Sequence, residues 1–213
     1  TTPAYGLWDA QGAVFGSGYG MEHVNYFAAE GEDRYETPSF RRSNAFATVG
    51  AECRAVRQGV GINEIHNFGK YEVTGPGAEA WLDYVMANRM PGQGRIILTP
   101  MLARSGRIIG DLTVARLGPE RFQLTASYSA QDYHMRWFLE HLPEDGVVID
   151  NVSSRRLGFQ IAGPKARDLL ARVTRADVSN DALPFLSAAE IEVGEVPAII
   201  CRITFTGDLG YEI

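Results

Sequence analysis

Lys70-Tyr71-Glu72-Val73-Thr74-Gly75-Pro76-Gly77-Ala78 is written a second time as Gly158-Phe159-Gln160-Ile161-Ala162-Gly163-Pro164-Lys165-Ala166. Each copy reads aromatic, polar, β-branched, small, then Gly-Pro-x-Ala, and each runs into a helical apolar pattern. Leaving a strand through Gly-Pro is common on its own, because proline suits the first turn of a helix. Two copies at one long separation point further, to a duplicated half-domain; solenoids repeat several times at short periods. The repeat predicts two related strand–turn–helix units.

Working outward, residues 45–58 fit an amphipathic helix that includes Val49, Cys53 and Val56 and ends at Gly59 through Gly61. Ile62 to Val73 reads as a strand, and Ala78 to Met90 as a helix with Trp81, Leu82, Val85 and Met86 on one face. A hairpin follows, Ile96 to Leu102 and Ile108 to Leu117, then a strand from Phe122 to Ala126. Residues 130–142 read as a helix with Tyr133, Trp137 and Phe138 inward. Val147 to Val152 opens the second half, and the repeated strand leads into a helix from Ala166 to Val173. Glu190–Val193 and Ala198–Phe205 read as a strand pair, and Gly210–Ile213 as the opening of another strand. Antiparallel hairpins with helices to one side make the fold class α+β and not doubly wound.

The first forty residues are rich in glycine and aromatics without a sustained period, and read as a loop packed by its aromatic side chains. Gly16-Ser17-Gly18-Tyr19-Gly20 looks superficially like a dinucleotide fingerprint. It lacks the third glycine at the right offset, and no βαβ unit follows.

Composition narrows the function. A chain of 213 residues, 45% hydrophobic and 22% charged, can bury a real core. Its net charge of −6 argues against nucleic acid or an anionic membrane as partner, and no run of about 18 apolar residues occurs. His23, His66, His134 and His141 show no ligand spacing, so no metal is expected. Cys53 and Cys201 sit in apolar patterns and read as buried free thiols, although a disulfide is the alternative.

Three further stretches carry a resemblance. Ile62-Asn63-Glu64-Ile65-His66-Asn67-Phe68-Gly69-Lys70, Gly106-Arg107-Ile108-Ile109-Gly110-Asp111-Leu112-Thr113 and Thr204-Phe205-Thr206-Gly207-Asp208-Leu209-Gly210-Tyr211-Glu212-Ile213 occur in order. Together they resemble the glycine-cleavage T-protein family, the folate-dependent aminomethyltransferases. The opening segment, with Tyr19-Gly20-Met21-Glu22 and Tyr35-Glu36-Thr37-Pro38-Ser39-Phe40-Arg41, resembles the stretch that follows the flavin domain in dimethylglycine and sarcosine dehydrogenases.

The resemblance implies a T-protein-like folate-binding fold. Its discontinuous first domain spans 1–70 and 147–213, and an inserted domain, 71–146, carries the catalytic aspartate. A third domain would lie beyond the chain's end. Tetrahydrofolate is the implied cofactor, with FAD confined to a flavin domain in cis upstream. The implied substrate is an iminium derived from an N-methyl amine, whose one-carbon unit passes to the folate. The implied compartment is the bacterial cytoplasm, or the mitochondrial matrix in a eukaryote. The alternatives are a stand-alone aminomethyltransferase served by a lipoyl carrier, and a non-catalytic folate-binding module of the iron–sulfur-assembly type.

Residue by residue, Asp111 takes the place of the family's catalytic acid, able to accept a proton and stabilise developing positive charge. Gly110 stands where a second acid often occurs. Glu212 falls on the glutamate that recognises the pterin, where a carboxylate can accept two parallel hydrogen bonds. Phe205 replaces a common tyrosine; it can pack against the folate but cannot donate a hydrogen bond. Ser127 and Ser129 are candidates for the cavity lining, with a helix cap as the alternative for Ser129. His66 reads as a satisfied core histidine, with a folate contact as the alternative. Arg155-Arg156 reads as a solvated turn, or else a contact for the folate's glutamate tail.

Overall fold

The two Gly-Pro units take the same backbone course in the computed structural model, which describes residues 1–213. Gly75 has φ 118° and Gly163 φ 124°, values that side chains rarely adopt. A Cβ at Gly75 would run into the Gly146 carbonyl, and one at Gly163 into the carbonyls of Val56 and Gly59. Each turn is then closed alike, Ala78 N to Gly75 O and Ala166 N to Gly163 O, both at 3.0 Å. Each is also pinned from outside, Gly77 N to Gly146 O at 2.9 Å and Lys165 N to Gly59 O at 3.0 Å. Gly75→Ala and Gly163→Ala are therefore each expected to lower stability by about 1–3 kcal/mol, read as a lower urea midpoint with unchanged slope.

The chain begins with α1 (Tyr5–Ala10), β1 (Ala13–Gly18), β2 (Met21–Phe27) and α2 (Phe46–Gln58). It continues through β3 (Gly61–Glu64), β4 (Phe68–Thr74), α3 (Ala78–Val85), β5 (Ile96–Leu102), β6 (Ile108–Gly118) and β7 (Arg121–Ser127). Then come α4 (Gln131–Glu140), β8 (Val148–Asn151), β9 (Phe159–Ala162), α5 (Ala166–Leu170), β10 (Ala188–Val193), β11 (Val196–Cys201) and β12 (Gly210–Glu212). Two five-stranded antiparallel sheets result, one ordered β10-β11-β12-β9-β3 and the other β5-β6-β7-β4-β8, beside the β1–β2 hairpin.

The halves exchange strands. β3 directly precedes β4 yet pairs with β9, Gly61 opposite Ala162 through Glu64 opposite Phe159. β8 precedes β9 yet pairs with β4, Tyr71 opposite Asn151 through Thr74 opposite Val148. The single strand expected from Ile62 to Val73 is thus two strands in different sheets, broken at Ile65–Asn67. Pairing across the exchange outcompetes local continuity.

Apolar side chains fill the outer face of each sheet. Tyr71, Val73, Phe122 and Leu124 meet Leu82 of α3 and Phe138 of α4, all fully buried. Ile161, Ile200 and Tyr211 meet Ala166 and Leu170 of α5. A third cluster, Ile96, Ala115, Ala188, Cys201 and Ile203, joins the two sheets. It is reinforced by Ile96 N to Leu186 O and Ala188 N to Gly94 O, both 2.9 Å.

Several local expectations are corrected. The opening segment is a helix and a hairpin, turned at Tyr19 and Gly20, whose φ values of 52° and 81° suit a tight hairpin turn. Gly16 and Gly18 lie in β1. α2 buries no residue, and Cys53 is exposed while Cys201 is buried. α3 stops at Val85 because Met86 turns extended, ψ 155°. α5 ends at Leu170 and not Val173. On α4 His134 and Phe138 are buried and Trp137 packs against the core as expected, while Tyr133 faces solvent. Ser129 caps no helix; its hydroxyl lies 3.0 Å from that of Ser127. No helix is long and apolar enough to cross a membrane.

Candidate functional site

Strand alternation decides what the inner faces carry. On β4, Tyr71 and Val73 point to the core, so Lys70 and Glu72 point the other way. On β7, Phe122, Leu124 and Ala126 are buried, leaving Arg121, Gln123 and Thr125 opposite. These inner residues, with Thr113 and Ala115 of β6, form one wall of a cleft of about 960 Å³ between the sheets. The other wall comes from β10, β11 and β12, including Glu190, Pro197, Ile199, Cys201 and Glu212. A polar wall facing a largely apolar one, at this volume, is the form of a small-molecule site.

Arg121 spans the cleft. It lies 3.0 Å from Glu72 on its own sheet and 2.8 Å from Glu190 on the other. Arg156 donates to Glu72 and to Gln123, each at 2.7 Å. Burial pushes the Glu72 carboxyl up, but hydrogen bonds and charge from Arg156 and Arg121 outweigh it and hold its pKa below the usual value. Arg156 is thus a wall residue and not part of a solvated turn; its neighbour Arg155 is more exposed, 3.6 Å from Asp150.

Lys70 is buried, and its ammonium donates to the carbonyls of His66 and Phe68, both at 3.1 Å. Burial, and then the Arg156 charge, lower its pKa to about 8. Glu212 sits in the middle of the other sheet, opposite Cys201 on one side and Gln160 on the other. Burial alone pushes its carboxyl up to about 7, and no protein donor offsets it. Burial, and then the Glu212 charge, raise the Cys201 thiol to about 12.

The remaining sequence candidates separate. Asp111 lies on β6 opposite Pro100, on the same face as Thr113 and Ala115, exposed and one step past the enclosed lining. Gly110 faces the other way, where a Cβ would collide with the His134 imidazole. His134 is buried and lies 3.3 Å from the Tyr71 hydroxyl; burial lowers its pKa despite the Ile109 carbonyl and the Asp111 charge. A second acid beside Asp111 has no room. Ser127 ends the inner row of β7, exposed beyond Thr125. Phe205 lies after β11 and is 94% exposed, outside the cleft lining. His66 is buried away from the cleft, its Nε2 3.0 Å from the Glu22 carbonyl and its Nδ1 3.6 Å from Glu64. Lys70, Arg121 and Gln123 are cleft residues that sequence motifs did not reveal; the alternation of β4 and β7 was the available signal.

Exchanged antiparallel sheets around such a cleft define an α+β domain. The chain belongs to the GCVT N-terminal domain family, whose model matches residues 4–213. It is 34% identical over 196 residues to human mitochondrial dimethylglycine dehydrogenase, covering 91% of this chain and 23% of that one. It is 31% identical to the sarcosine oxidase α subunit of a Corynebacterium, covering 100% of this chain and 22% of that one. It is also 34% identical to the aminomethyltransferase of Bacillus subtilis, covering 79% of this chain and 46% of that one. These homologues are enzymes, and the chain spans less than half the length of each. The glycine-cleavage aminomethyltransferase T of Bartonella henselae shares the fold, with a TM-score of 0.79 at 22% identity over 99% of this chain and 52% of that one.

Proposed function

We propose that the cleft binds tetrahydrofolate and that the chain is the one-carbon-transfer region of a flavin-dependent N-methyl amine dehydrogenase of the dimethylglycine or sarcosine kind. The observation that carries this reading is Glu212, a carboxylate at the cleft with no donor of its own and a pKa pushed up to about 7. Such a group suits a ligand edge with two N–H donors, as a pterin offers. The match to dimethylglycine dehydrogenase covers 91% of the chain and that to the aminomethyltransferase 79%, which favours the dehydrogenase kind.

In this reading Glu212 accepts two hydrogen bonds and fixes the ligand's orientation. The apolar wall, with Pro197 and Ile199, excludes water from one ring face. Bound tetrahydrofolate supplies the nucleophilic nitrogens that take up a one-carbon unit. Asp111, at the cleft mouth, accepts the proton released there and favours cationic character nearby. Ser127 extends the polar row toward the ligand's outer part, and Phe205 stays outside the cleft. His66 ties the β1–β2 hairpin to the sheet. A flavin domain in cis delivers the amine-derived iminium.

The sheets support a discontinuous unit, about 1–70 with 147–213, and an inserted unit, about 71–146. By pairing, β8 and the first residues of β4 join the inserted unit's sheet. Titration calorimetry of the complete protein with tetrahydrofolate is expected to show saturable one-to-one binding. No heat of binding at millimolar ligand would overturn the reading.

A further inference from the structure

Lys70 is one of two lysines in the chain, and its setting is not that of a surface cation. It is 6% exposed and lines the cleft. Two of its three N–H donors are taken by the carbonyls of His66 and Phe68, which flank the point where the chain crosses between sheets. No carboxylate pairs with it; every ion pair in the molecule is made by Arg or His. An ammonium so held keeps one donor unmatched, and a buried donor without an acceptor is costly.

Glu212 has the complementary deficit, an acceptor without a donor. Both side chains line the same cleft. Ile65, beside the crossover, donates to Gly158 O at 2.7 Å. Phe159 exchanges backbone hydrogen bonds with Ile213, next to Glu212, at 2.9 and 2.8 Å. The other lining cations are matched, Arg121 and Arg156 by Glu72 and Glu190 and Arg155 by Asp150.

We propose that Lys70 is a ligand-binding residue of this cleft, and that its ammonium and the Glu212 carboxylate together read a lactam edge, a carbonyl oxygen beside N–H groups. The inference rests on the folate reading: Glu212 takes the ring N–H and amino group of the pterin, and Lys70 donates to the neighbouring 4-carbonyl oxygen. With both partners in place the ligand completes a charge-balanced hydrogen-bonded pair. Lys70 thereby selects 4-oxo over 4-amino pteridines.

The test is calorimetric binding of three reduced ligands to the complete protein and to Lys70→Met: tetrahydrofolate, its 4-amino analogue, and tetrahydropteroate, which lacks the glutamyl group. Lys70→Met is expected to weaken tetrahydrofolate and tetrahydropteroate by about 10- to 100-fold, the range for a hydrogen bond to a charged group. Binding of the 4-amino analogue, which offers no 4-carbonyl oxygen, is expected to change less than about threefold. Equal losses for all three ligands, or none, would overturn the proposal. A loss confined to tetrahydrofolate would overturn it too, by placing Lys70 on the glutamyl carboxylate. If Lys70→Met does not fold, Lys70→Arg carries the comparison: its reach and fork differ from those of an ammonium, so selectivity between 4-oxo and 4-amino ligands should fall. Selectivity unchanged in Lys70→Arg would overturn the proposal. Failure of the wild-type protein to bind any of the three ligands rejects the folate reading itself.

Discussion

Glu212→Gln is expected to make the free protein more stable above neutral pH while nearly abolishing its hold on tetrahydrofolate. Burial raises the Glu212 pKa from the usual 4.5 to about 7, so between those values the folded state keeps a proton that the unfolded state gives up. Stability therefore falls as pH rises through that window. Below it both states are protonated and the residue contributes nothing. Above it the cost is complete, on the order of 3 kcal/mol. Gln carries no charge and bears none of this cost. Urea unfolding of the wild type across pH 4 to 8 should show the decline, and Glu212→Gln should flatten it.

Ligand binding should move the opposite way. Gln offers one acceptor oxygen and an N–H₂ group, so one of the ligand's two donors meets a donor. The loss of a bidentate, charge-assisted contact is expected to weaken tetrahydrofolate by roughly 100-fold or more. A protein that gains stability and loses affinity through one atom pair is behaving as a binding site; a structural glutamate would lose both or neither. Wild-type stability flat across this pH range would remove the physical basis of the assignment. Unchanged affinity in Glu212→Gln would remove its functional content.

What was legible in the sequence was what local chemistry dictates. The Gly-Pro turns show because Gly75 and Gly163 need a backbone region that other residues avoid, and both copies keep the residue. The hairpin partners β5 and β6 show because short antiparallel connections leave alternation intact. The break at Ile65–Asn67 was marked only weakly, by Asn67 and Gly69, within a stretch that otherwise reads as one strand. Only pairing with β9 and β8, remote in sequence, assigns its two parts to different sheets. The cleft wall was hidden for the same reason: Arg156 meets Glu72 across the strand exchange, and Arg121 meets Glu190 across the cleft. Asp111 and Glu212 were found by motif, yet nothing in a motif tells that one is exposed at the mouth and the other enclosed. That contrast in burial separates their proposed roles.

Asp111→Asn is expected to lower one-carbon transfer in the complete protein by about 10²- to 10⁴-fold, the usual weight of a positioned acid–base group. Under the proposed function, the flavin-dependent oxidation of the amine should continue at its normal rate. The geometry explains the split. In the proposed pose the pterin's amino edge is held at Glu212, and its nucleophilic nitrogens, on the opposite side of the bicycle, are turned toward the mouth. Asp111 follows Thr113 outward along β6, and two residues of strand span roughly 7 Å. An exposed carboxylate there can exchange protons with water between turnovers, which a base buried at Glu212's depth could not do readily. Because Asp111 makes no hydrogen bond or ion pair and faces solvent, Asn should change stability by less than about 0.5 kcal/mol. The decisive measurement is paired: amine oxidation by dye reduction, and folate product by chromatography, on the same enzyme. Equal loss of both would mean that the two reactions share a site. Loss of neither would mean that another group at the cleft mouth takes the proton.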